Sequence, residues 1–243
     1  MVGNLKISIA HLYPELLNLY GDMGNIITLK NRCEWRGISV EYNPVGINDA
    51  ITSHDLYFIG GGQDKQQQDV SQKLYKYKSF LSDERDSGSV FLGICGGYQL
   101  FGHYYQPFDA EKLQGISLLD AYTVAGKKRF IGNVTVETDF LNPNTLVGFE
   151  NHSGLTYLQG ETKPLGKTIV GNGNNGLDGY EGARFKNVFG TYLHGSLLPK
   201  NPQFADVLIS LALEKRYGEK FELEKLDDKI ENNTHNSLVG KAY

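Results

Sequence analysis

Cys95, one of two cysteines in the chain, stands in Gly93-Ile94-Cys95-Gly96-Gly97, where an apolar β-type run, SVFLGI (89–94), meets a glycine turn. G-x-C-x-G is the thiol counterpart of the G-x-S-x-G elbow, in which small neighbours permit a strained strand-to-helix turn that exposes a nucleophile. A helix starting just after the cysteine would aim its first amides and positive dipole end at the sulfur, favouring the reactive thiolate. The commoner fate of a free cysteine is that of a small buried apolar residue. That reading suits Cys33, mid-helix beside Trp35, but it leaves the glycines around Cys95 unexplained.

A cysteine nucleophile needs a base, and the chain has six histidines. His194 ends the apolar run VFGTYL (188–193) and precedes Gly195, so it reaches the same sheet edge as Cys95 if its strand joins that sheet. His152, in GFENH (148–152), also sits at a strand end and is the runner-up. His11, His54, His103 and His235 have no such setting, and on spacing alone any of the six could be structural. Acyl chemistry at Cys95 passes through an oxyanion, best met by two backbone N–H donors in a water-poor site. Gly96, directly after the nucleophile, offers one. The Gly60-Gly61-Gly62 turn, where backbone can approach a ligand without a Cβ, offers Gly61 and Gly62 for the other. Taken alone, that turn reads as a tight connection.

Two further motifs fail on context. GNGNNG (171–176) matches G-x-G-x-x-G, but LDGYEGARF follows it rather than a helix, so it reads as a turn. Gly166-Lys167-Thr168 resembles the end of a phosphate-binding loop, yet Glu161 holds the place of its first glycine and Pro164 intervenes.

The elements that must position these residues alternate. LKISIA (5–10) is a strand, 15–36 has helical spacing interrupted by Gly21 and Gly24, 38–45 and LYFI (56–59) are strands, 63–81 is one polar helix, and 90–94 is a strand. Strand–helix alternation predicts a mostly parallel central sheet flanked by helices, with ligands at the carboxyl ends of the strands. Strands at 130–136, 146–151, 168–171 and 188–192, without strong helices between them, predict a mixed sheet in the second half. PQFADVLISLALEKRY (202–217) is a helix with proline at its start. Residues 1–217 form the expected domain. Residues 218–243 form a polar C-terminal extension with one short helix that then frays.

The chain of 243 residues, 12% aromatic and 21% charged, is an ordinary globular protein. A net charge of −4 gives no general reason to bind nucleic acid or anionic lipid. Two distant cysteines fit neither a disulfide framework nor a zinc site, and they suit a reducing cytosol. No apolar run approaches membrane-spanning length and no signal peptide opens the chain, so a cytoplasmic protein is expected.

Gly60-Gly61-Gly62, GICGGYQLFG (93–102) and Tyr192-Leu193-His194-Gly195 together resemble the class I glutamine amidotransferases, in the variant of cobyric-acid-synthase-like (CobB/CobQ) proteins. LYGDMGN (19–25), GFENH (148–152) and GTYLHG (190–195) are most similar to the glutaminase subunits of bacterial lipid II-amidating enzymes. The resemblance covers residues 5 to 215 and implies a flavodoxin-like α/β sandwich. It also implies that Cys95 attacks the side-chain amide of glutamine, that His194 protonates the departing ammonia, and that Arg129 binds the glutamine α-carboxylate, a task suited to a guanidinium fork. Without it, Arg129 in KKRF (127–130) is a solvated basic turn. No cofactor is implied in this chain. ATP and magnesium belong to a Mur-ligase-like partner that uses the ammonia to amidate the D-glutamate α-carboxylate of the stem peptide.

Two positions depart from the pattern. Many class I enzymes read His-x-Glu, whereas this chain reads His194-Gly195-Ser196 and has no acid to orient the imidazole, as in the cobyric-acid-synthase-like branch. Leu155 stands where related sequences often carry arginine. The missing acid leads to the expectation that the isolated chain is a weak glutaminase and that the partner supplies a carboxylate or fixes the ring by packing. Three other readings stay open at this stage: cobyrinate-type amidation, a stand-alone cysteine amidase or peptidase, and a non-catalytic binding module.

Overall fold

The computed structural model describes residues 5–62 and 64–242, the side chains of Tyr20 and Asp64 excepted. The first half runs β1 (Lys6–Leu12), α1 (Met23–Glu34), β2 (Ser39–Val45), β3 (Leu56–Ile59), α2 (Asp64–Tyr75), α3 (Lys78–Asp86), β4 (Val90–Ile94) and α4 (Gly96–Phe101). Six short or long strands then follow: β5 (Tyr104–Gln106), β6 (Leu113–Gln114), β7 (Ala121–Glu137), β8 (Thr145–Leu158), β9 (Gly166–Val170) and β10 (Tyr180–Glu181). The chain closes with β11 (Ala183–Phe185), β12 (Val188–Thr191), α5 (Pro202–Tyr217) and α6 (Lys229–Leu238).

The central sheet has the order β11-β12-β4-β3-β1-β2, parallel throughout except for β11 at its edge. β3, β4 and β12 are buried along their whole length, which is why they read as unbroken apolar runs. Alternate residues feed two cores. Phe58 and Leu92 pack toward Ile26 and Leu29 of α1 and Phe204 and Leu208 of α5, while Tyr57, Ile59 and Phe91 pack toward Val70 of α2, Leu81 of α3 and Leu100 of α4. The result is the expected α/β sandwich with a mostly parallel central sheet.

A second sheet, β10-β9-β7-β5-β6 with β8 paired to β7, is largely antiparallel. Its spine is the β7–β8 hairpin, whose register breaks between Ala125 and Phe130. The strands expected at 130–136 and 146–151 are parts of this longer hairpin.

Three expectations change. The strand at 188–192 does not join the second sheet: β12 lies beside β4 in the central one. The single helix expected over 63–81, whose first residue Gln63 lies outside the described residues, is two helices. Bonds from Lys76 N–H to Lys73 O and Tyr77 N–H to Leu74 O tighten the end of α2, and α3 starts afresh after Tyr77. The helix expected from 15 begins only at Met23, because Leu19–Gly21 forms a 3-10 turn and Gly21 is left-handed at φ 79°.

The segment after α5 lies against the body. The Arg32 guanidinium, 2% exposed, joins Asp206 of α5 to Asp228 before α6 at 2.7 and 2.5 Å. Arg36 donates to Glu224 O, Phe221 and Leu223 cover the α1–α5 core, and His235 lies between Thr145 Oγ1 and Lys200 O.

Candidate active site

Cys95 sits between β4 and α4 at φ 49° and ψ −102°, a left-handed backbone that costs a non-glycine residue on the order of 1–3 kcal/mol. Its surroundings explain the glycines. A Cβ on Gly93 would lie 2.7 Å from the Phe101 ring, and one on Gly97 would lie 2.5 Å from Ile59 O. Neither place has room for a side chain, so G-x-C-x-G is the composition this elbow requires. The six-residue α4 begins at Gly96, immediately past the sulfur-bearing residue.

Thr191, the last residue of β12, pairs with Ile94, the last of β4, and Thr191 O accepts the Cys95 N–H at 2.8 Å. His194 therefore leaves the same carboxyl edge one strand away. Its backbone is held by Phe149 of β8, through His194 N–H to Phe149 O at 2.8 Å, and Lys200 Nζ donates to His194 O. The imidazole is 1% exposed. Burial, then the charges of His152 and Lys200, push its pKa down to about 3, so the ring is neutral at physiological pH.

A Cβ on Gly61 would stand 3.1 Å from His194 Cε1 and 3.4 Å from Cys95 Cβ, so the glycine turn borders both residues. The two donors expected from that turn differ. The Gly61 N–H is engaged: it donates to Asp22 Oδ2 at 2.7 Å. This corrects the reading of Gly61 as an oxyanion donor, since a buried carboxylate already holds that hydrogen. Gly62 N lies 3.2 Å from where a Gly96 Cβ would be, which brings the glycine turn against the residue that follows Cys95. Asp22 is fully buried; burial lifts its carboxyl to about 7, against the Gly61 bond, which lowers it.

Cys95, His194, Gly62 and Arg129 line one cavity of about 700 Å³, with Asn151 and His152 also on its wall. Arg129 falls where the β7–β8 register breaks, and its Nη1 donates to Asn151 Oδ1 at 2.8 Å. The exposed basic turn of the sequence is thus the rim of the cysteine's cavity. His152 is positioned as a structural residue: its ring stacks on Tyr192 at 3.6 Å and its Nδ1 is bonded to Gly154 O. Gln67, Gln99 and Tyr192 form a buried chain beneath the pocket, with Gln67 Nε2 to Gln99 Oε1 at 2.6 Å and Gln99 Nε2 to Tyr192 Oη at 3.1 Å. Sequence reasoning missed Asp22, Gln67 and Gln99. The signal for Asp22 was its place after β1, at the sheet edge that also holds Cys95.

GNGNNG is a turn, as its context required: the Glu150 carboxylate accepts the N–H groups of Asn172 and Gly173. Burial would raise Glu150, but the nearby His152, its Nε2 3.9 Å away, and the hydrogen bonds from Asn172 outweigh it and hold the carboxyl below its ordinary range. Among the described residues no group of three or more His, Cys, Asp or Glu side chains could hold a metal ion, and no helix is long and apolar enough to cross a membrane.

The mostly parallel sandwich, with a strained cysteine elbow at the carboxyl edge of its sheet, a histidine one strand away and a glycine turn between them, fits the class I glutamine amidotransferase fold. The chain belongs to the CobB/CobQ-like glutamine amidotransferase domain family, whose model matches residues 8–202, and it is a glutamine-hydrolysing amidotransferase. It is 39% identical over 98% of its length to the lipid II isoglutaminyl synthase subunit GatD of Staphylococcus aureus, of which it covers 96%. It is 38% identical over 92% of its length to the GatD subunit of Streptococcus pneumoniae, of which it covers 86%. A probable cobyric acid synthase of Methanococcus maripaludis is 33% identical over 80% of this chain, which spans 43% of that protein. In fold alone, the chain is similar to the glutaminase domain of Trypanosoma brucei CTPS, with a TM-score of 0.51 at 9% identity, covering 90% of this chain and 96% of that one.

Proposed function

We propose that this chain is the glutaminase subunit of a lipid II isoglutaminyl synthase. The observation that carries the reading is the identity of 38–39% to two GatD subunits over nearly the whole chain, together with Cys95, His194 and Arg129 in one cavity. The Cys95 thiolate attacks the side-chain amide carbon of L-glutamine, and the carbonyl electrons move onto oxygen, toward the Gly96 and Gly62 amides. As the tetrahedral intermediate collapses the C–N bond breaks, and the His194 imidazolium, which took the thiol proton, gives it to the departing ammonia. His194 then deprotonates a water, which attacks the thioester. The C–S bond breaks and glutamate leaves. Arg129 holds the α-carboxylate through parallel N–H bonds.

Ammonia passes to a MurT-like, Mur-ligase-type partner in a heterodimer. That partner, with ATP and magnesium, activates the D-glutamate α-carboxylate of the peptidoglycan stem peptide and releases D-isoglutamine. This chain needs no cofactor of its own for the steps above. Cobyrinate-type amidation is disfavoured by the lower identity of the cobyric acid synthases.

The test is amidation of lipid II by the purified pair. The wild type should use glutamine, and a Cys95→Ser pair should lose glutamine use while still accepting free ammonia at high pH. Failure of the ammonia-fed Cys95→Ser pair to make product, with the wild-type pair active, would show that Cys95 is needed for more than ammonia release. Glutamine hydrolysis by this chain should rise when the partner is added; equal rates would remove the idea that the partner completes the histidine's surroundings.

A further inference from the structure

The LYGDMGN loop (19–25) has no task in the steps above, yet it touches the catalytic edge at three places. Asp22 Oδ2 accepts the Gly61 N–H at 2.7 Å, and Leu19 N–H donates to Gly61 O at 3.0 Å. Ser196, two residues past His194, donates from Oγ to Gly21 O at 2.5 Å. There is no slack in this packing: a Cβ on Gly60 would lie 2.8 Å from Asp22 Oδ2, and one on Gly24 would lie 2.2 Å from Ser196 Oγ.

The first two bonds grip both peptide planes of Gly61. Gly61 O and the Gly62 N–H belong to one trans peptide, so they point in opposite directions. With Gly61 O turned to Leu19, the Gly62 N–H is directed away from the loop, and Gly62 N is the atom that stands 3.2 Å from the Gly96 Cβ position. A glycine peptide unheld on either side can rotate freely, because glycine populates both signs of φ. Rotation would replace the donor with a carbonyl oxygen facing the place where negative charge develops. Gly60 O is separately tied to the elbow, accepting the Gly97 N–H at 3.1 Å. The 60–61 peptide is therefore held on both sides, by α4 at Gly60 O and by Asp22 at the Gly61 N–H, and the 61–62 peptide is held by Leu19.

We propose that Asp22 is a positioning residue for glutamine hydrolysis: by holding the Gly61 N–H it fixes the 60–61 peptide, against which the next peptide, gripped at Gly61 O by Leu19, presents the Gly62 N–H as the second oxyanion donor near Gly96. The task requires an oxygen acceptor at a fixed place. Asp22 Oδ1 has no hydrogen-bond partner among the described residues, so one carboxylate oxygen carries the function. An Asn at this position keeps an acceptor oxygen; an Ala removes it and leaves the buried Gly61 N–H unpaired.

The inference rests on the glutaminase reading, and the experiment separates the two. Full-length wild type, Asp22→Ala and Asp22→Asn are compared in steady-state glutamine hydrolysis and in the rate of Cys95 labelling by 6-diazo-5-oxo-L-norleucine, with thermal midpoints alongside. A donor acting in the transition state is worth roughly 10²–10³ in kcat, and a misdirected one should lose a good part of that. Asp22→Ala should lower kcat at least tenfold with KM within about threefold, and Asp22→Asn should retain at least a third of wild-type kcat. An unchanged kcat in Asp22→Ala, a loss carried by KM, or an Asp22→Asn as impaired as Asp22→Ala would each overturn the proposal. Should Asp22→Ala not fold, the Gly61 amide resonance decides: a displacement between wild type and Asp22→Asn is expected, and superposition overturns the assignment. A wild type that is neither active nor labelled at Cys95 counts instead against the glutaminase reading.

Discussion

The Cys95 N–H donates to Thr191 O at 2.8 Å, and this single backbone bond sets Cys95 beside the residue three positions before His194 across adjacent parallel strands. The proposed catalytic pair of Cys95 and His194 is thus built by sheet register rather than by loop conformation. Residues 95 and 194 are far apart in the chain, yet β4 and β12 terminate together, and whatever follows each strand shares the carboxyl edge. The register is held by a parallel ladder from Val188 beside Phe91 to Thr191 beside Ile94, and a one-residue slip would exchange the side chains that fill the two different cores.

The burial of His194 has a consequence for stability against acid. Its pKa falls from 6.5 unfolded to about 3 folded, so between those values the unfolded chain binds more protons than the native one. The contribution is fully present above pH 6.5 and is lost as pH falls toward 3, with a slope of up to about 1.4 kcal/mol per pH unit. Urea midpoints for wild type and His194→Asn at pH 7.5, 6 and 5 check this. The wild type should lose its advantage over the variant as pH falls, while hydrolysis by His194→Asn should drop by about 10²–10⁴. Parallel pH slopes would mean that the imidazole keeps its solvent access.

Arg129 should act on substrate binding rather than on the chemical step. Its guanidinium lines the cavity that Cys95 also lines, and is tied to Asn151. A charge-assisted bond to a carboxylate is worth about 1.5–3 kcal/mol, which corresponds to roughly 10- to 150-fold in affinity. Arg129→Ala is expected to raise KM for glutamine by about that factor with kcat within a few-fold, and Arg129→Lys to recover only part, because an ammonium cannot make the parallel pair. Initial-rate kinetics decide it. A fall in kcat at constant KM would assign Arg129 to the transition state instead.

How much of this site could be read from the chain follows from how local each signal is. The elbow was legible because steric exclusion at Gly93 and Gly97 leaves its mark in consecutive letters. His194 was legible only conditionally, since spacing could not say which sheet received β12. The sandwich was legible from strand–helix alternation, but the long β7–β8 hairpin was not: Lys127, Lys128 and Arg129 interrupt its apolar pattern where the register shifts. Gly61 was misread as a donor because its hydrogen is taken by Asp22, 39 residues earlier, a pairing that no periodicity encodes. Gln67 and Gln99 were invisible for the same reason: each is one polar residue on a helix, and only the approach of α2 to α4 makes them a pair.

Arg32 ties the segment after α5 to the domain, and its removal should release that segment without touching the cavity. The guanidinium, 2% exposed, bonds two carboxylates that are 27% and 20% exposed. Burial opposes its charge, but the hydrogen bonds and charges of Asp206 and Asp228 prevail and hold the guanidinium above its already high pKa. Arg32→Ala leaves both acids without this partner. Removing one member of a buried ion pair costs about 3–5 kcal/mol, and partial exposure of these acids brings the expectation to about the lower end. Replacement by Met, which restores the apolar stem but not the charge, should recover little, because the loss lies mainly at Asp228, whereas Asp206 keeps Arg36 as a partner. Limited proteolysis and amide exchange provide the readout: cleavage and exchange across 219–242 should accelerate, while β4 and β12 stay protected. The rate of Cys95 labelling by 6-diazo-5-oxo-L-norleucine should stay within about twofold, since none of Arg32, Asp206 and Asp228 lines the cavity. Acceleration throughout the chain would show instead that the segment and the sandwich unfold as one unit.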